Sequence, residues 1–413
     1  MKLSFPLLII VLILLELFVL RFKSALTYKS ILLSSSDAVL SLKKDPDFYN
    51  NSYQVLDFGY FRAFSYSKEV FRAGDILKIN FAPARCDKQT CSLLYRKAIS
   101  LEKIGTTKSA VIMRLFLNVR NRINELYAKN LPSPYAELLA GMTLGIKNLP
   151  QNFSEALIKT GVIHVVVVSG FNVSLVISAL FPLLLFFGRR VSLAISFLGV
   201  LSFVCLVGFE PPVIRAGIMG LIMLYGKYRG REKNVLAILF LAGAVMVFIN
   251  PLIVYDLSFI LSFLATFGLI AFSPILKTYL PFKFYGLEED FIATLCAQIL
   301  VWPIISYSFG RVSLISPLVN VLILWVVPLV TVMGFLYIAI ASILIFINGS
   351  FLLAVVSWAI KIPLAYFSQV VDLFAKLSFS QIEFKVNNAF MVGYYLLLAL
   401  VLLWLTKKKE VTF

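Results

Sequence analysis

Residues 160–188 contain no Asp, Glu, Lys or Arg, and neither do 191–209, 235–255, 257–276, 291–310 and 386–406. These runs constrain the fold more than any other feature of the chain. An apolar stretch of about 18 residues or more is what a helix needs to cross a ~30 Å hydrocarbon core. Within that core the backbone must satisfy its own hydrogen bonds, which a helix does and an irregular segment does not. Composition agrees: 60% of the 413 residues are hydrophobic and 14% are charged, where a soluble domain carries roughly 25% charged residues.

Candidate spans fall at 162–186, 191–208, 212–226, 234–250, 252–276, 290–308, 313–347, 349–370 and 389–406. With an earlier apolar run at 5–20, the chain reads as a polytopic α-helical membrane protein of about 9–11 transmembrane helices. The 313–347 stretch exceeds one upright helix of ~20 residues. Pro317 and Pro328 interrupt it, so it is either a surface helix plus a span or two packed half-helices. Lys2 precedes the 5–20 run, Arg21 and Lys23 follow it, and Ser24-Ala25-Leu26 is a poor cleavage site. Residues 1–22 therefore read as an uncleaved first helix rather than a signal peptide.

Residues 23–108 differ in kind. Between 22 and 135 there are 18 Lys or Arg against nine Asp or Glu. Strand-like stretches at 53–60, 75–81 and 92–101, punctuated by Gly74, Pro83 and a polar loop from Cys86 to Cys91, read as one small β-rich domain outside the membrane. In 109–135, Ile112, Leu115, Val119, Ile123 and Leu126 recur at helical spacing, with Arg114, Arg120, Asn121 and Glu125 between them. That is an amphipathic helix, lying on the membrane surface or packed on the domain. Residues 136–406 form the membrane core and 407–413 a basic tail.

Of four cysteines, Cys205 and Cys296 sit in apolar runs as packing residues. Cys86 and Cys91 fit a disulfide closing a short hairpin if the segment faces an oxidising compartment. With one histidine in the chain, no metal site is expected, and no cofactor motif or phosphate-binding loop is present.

Arg189-Arg190 and the basic segments 227–233, 277–283 and 407–409 alternate with weakly charged loops. The positive-inside rule puts these clusters, and both termini, in the cytoplasm, with 22–155 outside a cytoplasmic (inner) membrane. The net charge of +17 is either this loop bias or a surface for anionic lipid or nucleic acid.

Polar groups inside apolar spans are the candidate functional residues, since each is costly there unless paired or wet. They are His164, Ser169 and Asn172 in one span, then Arg215, Asp256, Ser262, Gln298 and Asn320. Ser258, Ser262 and Thr266 repeat every four residues as a polar stripe. Asp256 and Arg215 both fall towards the outer half, where they are expected to pair. Each of these groups either lines a hydrated path or fastens one helix to another. His164 and Ser169, five residues apart, do not share a helical face, and no acid accompanies them, so no catalytic site is expected.

Four motifs occur in register between Ala136 and Pro328. The first is Glu137-Leu138-Leu139-Ala140-Gly141 with Gly145, Thr160-Gly161, His164 and Ser169-Gly170. The second is Arg215-Ala216-Gly217-Ile218-Met219. Asn250-Pro251, Asp256, Ser258-Phe259, Leu261-Ser262-Phe263, Ala265-Thr266 and Gly268 make the third. Ala297-Gln298, Pro303, Phe309-Gly310, Ser313-Leu314, Asn320 and Pro328 make the fourth. Together they resemble the membrane domain of the ComEC family of competence proteins. The resemblance implies a channel importing single-stranded DNA across the cytoplasmic membrane in natural transformation. It implies an OB-like fold for the β-rich domain, whose basic residues Arg62, Lys68, Arg72, Lys78, Arg96 and Lys97 would track phosphates. Tyr53, Tyr60, Phe61, Phe64 and Tyr66 would stack bases or pack the domain. Implied partners are membrane lipid, a DNA receptor, pilus components and a cytoplasmic helicase or nuclease. Two departures are expected to matter. Asn172 stands where the family usually has His, and the metallo-β-lactamase-like nuclease domain of longer members has no counterpart before the Lys407–Lys409 tail, so the chain is not expected to be an enzyme. The fold equally admits a transporter for another anionic or lipid-linked substrate, or a non-conducting scaffold of the uptake apparatus.

Overall fold

The computed structural model describes residues 18–25, 37–42, 46–49, 53–58, 62–67, 69, 71–81, 95–107, 110–166, 168, 170–230, 234–279, 287–344 and 350–411. Along the chain, helix α1 (18–25) precedes strands β1 (Asp37–Ser41), β2 (Asp47–Tyr49), β3 (Tyr53–Asp57), β4 (Arg62–Ser65), β5 (Asp75–Phe81) and β6 (Tyr95–Thr106). Helices α2 (Ala110–Asn130), α3 (Tyr135–Leu144), α4 (Gln151–Lys159), α5 (Ile163–Val166), α6 (Gly170–Leu183), α7 (Arg189–Val207), α8 (Pro211–Tyr228) and α9 (Val235–Ile249) follow. Then come α10 (Leu257–Tyr279), α11 (Leu287–Phe309), β7 (Arg311–Ser313), α12 (Ser316–Ile323), α13 (Val326–Leu344), α14 (Ser350–Ala375), β8 (Gln381–Glu383) and α15 (Asn388–Val411). The chain divides into two compact units, one of Met1–Leu149 with Val167–Ile260, the other of Pro150–Val166 with Leu261–Phe413.

In the first unit the six strands form one sheet in the order β1-β5-β6-β4-β3-β2. Its described pairs are antiparallel except β4 with β6. Alternation drives the sheet: β5 turns Leu77, Ile79 and Phe81 inward and Lys78 and Asn80 outward. The inward residues join Leu42, Leu56, Phe58, Ala63 and Phe71 in one apolar core. Asp75 is fully buried at the start of β5, and three groups hold its carboxylate. Lys103 reaches it at 2.9 Å, Arg114 at 2.8 Å, and the Arg72 backbone N–H donates to it at 2.9 Å. Arg114 also donates to the Ala73 carbonyl at 3.1 Å. Arg114 thereby ties the start of the amphipathic helix α2 to the β domain, and the helix packs on α3 and α7 with Leu117, Ile123 and Tyr127 buried.

Five helical stretches among the described residues are long and apolar enough to cross a membrane: Ile163–Phe187, Arg189–Val207, Leu257–Thr278, Glu288–Phe309 and Ala354–Ala375. A sixth is broken, with Ser316–Ile323 and Val326–Ser342 meeting at 44°. Val235–Ile249 and Asn388–Leu402 are shorter apolar helices. This is the pattern of a polytopic membrane protein.

In the second unit β7 and β8 pair antiparallel, from Arg311 opposite Glu383 to Ser313 opposite Gln381. Two paired strands lie on one side of a membrane, so the chain between them crosses an even number of times. Helix α12, with eight residues, is only about 12 Å long and cannot cross alone. The pair α12–α13 together makes one broken apolar stretch, and α14 carries another, Ala354–Ala375. Each half-helix begins near a proline, Pro317 in the first turn of α12 and Pro328 in that of α13, where the missing N–H costs nothing. Tyr366 of α14 donates to the Leu322 carbonyl at 3.0 Å, near the break, and Tyr394 and Tyr395 of α15 donate to the Ile299 and Leu300 carbonyls of α11 at 2.8 and 2.6 Å.

Candidate functional site

The polar residues singled out in the spans separate between the two units. Asn172, Arg215 and Asp256 belong to the first, and His164, Ser262, Gln298 and Asn320 to the second. Ser169 lies outside the described residues.

In the first unit Asn172 sits one turn into α6 and is 1% exposed. Its amide Nδ2 donates to the Met142 carbonyl of α3 at 2.9 Å, while its Oδ1 is buried and accepts no hydrogen bond. A buried acceptor left idle costs about 1–3 kcal/mol. Arg215, on the first turns of α8, is partly buried and donates through Nη1 to the Met219 sulfur at 3.7 Å. Its Nη2 lies 3.1 Å from where a Cβ on Gly170 would stand, and the Ala216 Cβ lies 3.0 Å from the same point. Only glycine at the start of α6 lets the guanidinium come so close to that backbone. A fixed cation beside the first residue of a helix adds to the partial positive charge of the helix end.

Asp256 does not pair with Arg215. Its Oδ1 accepts from the backbone N–H groups of Ser258 at 2.8 Å and Phe259 at 3.4 Å, so it caps α10. Its Oδ2 is 3.3 Å from Arg62 Nη2, and the same guanidinium lies 3.0 Å from Asp57. The β domain is thus tied by Arg62 to the start of α10, across 194 positions of sequence. An Asp ahead of an apolar run is a recognisable capping signal, but nothing local marks Arg62 as its partner.

In the second unit Gly161 has φ +73°. A Cβ there would fall 2.8 and 2.9 Å from the Cβ atoms of Ser313 and Ser316. The carbonyl of Gly161 accepts from Ser316 Oγ at 3.5 Å and from His164 Nδ1 at 3.1 Å. Because a carbonyl can only accept, Nδ1 of His164 carries a proton. Asn320 on α12 is 2% exposed, and its Oδ1 is unpartnered, as is the buried Oε1 of Gln298 on α11. On α10 Thr266 Oγ1 donates to the Ser262 carbonyl at 2.9 Å.

Of the basic residues expected on the β domain, Arg62 is engaged by two carboxylates. Arg72 and Lys78 are exposed, Lys78 on the outer face of β5. Arg96 and Lys97 lie on β6 beside Ala63 and Phe64 of β4. Among the aromatics Tyr66 is 62% exposed, and Phe64 is half-buried. Lys68, Tyr60, Phe61 and the Cys86–Cys91 pair lie outside the described residues, as do the side chains of Tyr53, Arg96 and Lys97. No group of three His, Cys, Asp or Glu that could hold a metal gathers among the described residues.

A mostly helical membrane chain, carrying a β domain and fixed polar groups along its helices, is the class this structure defines. The chain belongs to the Competence protein family of the ComEC type, whose profile matches residues 142–408. It is 28% identical over 214 residues to the ComE operon protein 3 of Bacillus subtilis (strain 168), covering 50% of this chain and 26% of that protein. It is 37% identical over 120 residues to an uncharacterized protein of Aquifex aeolicus (strain VF5), covering 29% of this chain and 28% of that one. The matched segments span about a quarter of either relative. No solved structure matches the chain.

Proposed function

We infer that the protein takes part in competence by passing single-stranded DNA across the cytoplasmic membrane, as a multi-pass channel. The observation that carries this reading is Arg215. A guanidinium held beside Gly170 at the start of α6 adds fixed positive charge to that helix end, which suits a polyanion. The unpartnered carbonyl oxygens of Asn172 in the first unit, and of Gln298 and Asn320 in the second, suit hydrated surroundings within each unit, where water or nucleobase N–H groups satisfy them.

The strand order favours an OB-like β domain. Treating β1 and β2 as two halves of one bent strand, the sheet runs first, second, third, fifth and fourth strand and returns to the first, with the third and fifth parallel. Exposed Arg72, Lys78 and Tyr66 are the groups there for phosphates and bases. Contacts in the first unit sort into two ends, which supports a cytoplasmic Arg189 end with the β domain opposite. Arg21 donates to the Ile249 carbonyl at 3.1 Å, Lys147 pairs with Glu210 at 3.1 Å, and Arg62 pairs with Asp256, all at one end. Arg189 meets Tyr228 at the other. On this reading α8, α9 and α15 also cross, giving about ten spans with both termini inside. A receptor, pilus components and a cytoplasmic helicase or nuclease supply delivery and strand removal.

The test is import of fluorescent DNA into the cytoplasm of cells carrying the intact gene, a deletion or Arg215→Ala. A deletion strain that binds DNA outside but imports none, matched by a membrane-inserted Arg215→Ala, is the expected result. Undiminished import in the deletion strain, with no second copy of the gene, would sink the reading.

A further inference from the structure

We propose that the Arg189 end of the first unit is a binding site for one anionic phospholipid, whose phosphate is held between Arg189 and Arg229. Three pieces of chain converge there: the single-turn helix Leu184–Phe187 after α6, the first residues of α7 and the last turn of α8.

The charges are pre-set. Arg189 lies over the Tyr228 ring at 5.9 Å and its Nη2 is 3.5 Å from the Tyr228 carbonyl. Arg229 lies over the Tyr225 ring at 5.6 Å and donates through Nε to the Tyr225 hydroxyl at 3.0 Å. Lys227 sits over Phe181 at 5.4 Å. Aromatic faces thus hold the charged heads of these exposed side chains in place. Less ordering is then lost on binding, and each guanidinium keeps N–H donors for a bidentate grip on phosphate. Neither residues 161–209 nor 211–231 contain Asp or Glu, so no carboxylate in these elements competes for the cations.

Apolar surface adjoins them. Leu183 is 74% exposed and Phe186 93%. The strip continues along one face of α7 through Val191, Ile195 and Leu198, at 44%, 40% and 59% exposed. Cations at the head of an apolar helix face match a lipid, with its phosphate at the interface and its acyl chains against the strip. A nucleic-acid strand would leave the aliphatic part of that strip uncovered, which favours lipid over nucleic acid at this end.

The experiment is native mass spectrometry of the purified full chain in detergent, titrated in parallel with phosphatidylglycerol and phosphatidylcholine. Wild type is expected to retain the anionic lipid with roughly tenfold preference, and to keep it in excess inorganic phosphate. Arg189→Gln with Arg229→Gln should abolish the preference, whereas Lys277→Gln in the second unit should not. Arg189→Lys with Arg229→Lys preserves charge but not the fork, and should weaken retention even if the Gln variant misfolds. Equal retention of the two lipids by wild type overturns the proposal. So does displacement by inorganic phosphate or by a single-stranded oligonucleotide, or an unchanged preference in the double Gln variant. None of these outcomes depends on whether the chain imports DNA.

Discussion

The β domain buries a fully matched charge, whereas the helical core buries half-matched amides of a kind the β domain also has in Gln54. In the β domain the buried carboxylate of Asp75 has Lys103, Arg114 and the Arg72 N–H around it. Its buried amide, Gln54, donates to the carbonyls of Ser67 and Glu69 at 2.9 and 3.2 Å and leaves only Oε1 idle. In the helical core Asn172 makes one hydrogen bond, and Asn320 and Gln298 keep an idle oxygen each. A buried charge that is fully matched is costly to strip of its partners. A neutral amide that is half matched does little for stability.

The comparison breaks most visibly at Asp75. Replacing it with Ala removes both ion pairs and the acceptor of the Arg72 N–H, and should cost about 3 kcal/mol, read as earlier thermal unfolding and faster proteolysis between the β domain and α2. Next in size is Gly170→Ala, whose added carbon meets Ala216 and Arg215. Overpacking of this kind costs ~1–3 kcal/mol, and DNA import should fall with it because Arg215 must shift. The Arg62–Asp256 pair is partly exposed, at 28% and 15% of the side chains, so a double-mutant cycle should give a coupling of only about 0.5–1 kcal/mol. Smallest is Asn320→Leu, which removes an unpartnered oxygen and should change stability by under about 1 kcal/mol. If Asn320 is instead structural glue, unfolding measurements on that variant will show a much larger loss.

Much of the helical part was legible because apolar length carries its own signal. The expected 191–208 and 290–308 spans are α7 and α11 to within about three residues. Pro317 and Pro328 announced a break, and the structure puts it at Leu324 and Trp325, between two half-helices. Other features could not be read. The Asp256 partner was missed because Arg215 was the cation the apolar spans offered, while the true partner, Arg62, arrives from the β domain. The β7–β8 ladder escaped notice because three-residue strands leave no periodic pattern. Among the site residues, the sequence singled out the polar groups by their cost, but their separation into two units is a tertiary fact.

Entry of a labelled single-stranded oligonucleotide into proteoliposomes made with the purified chain, scored as protection from added nuclease, tests the channel most directly. Protection with wild type that disappears in Arg215→Gln, at equal protein insertion, is the expected result. Protection that is equal in the variant, or absent in wild type under an imposed driving force, contradicts a DNA path past Arg215.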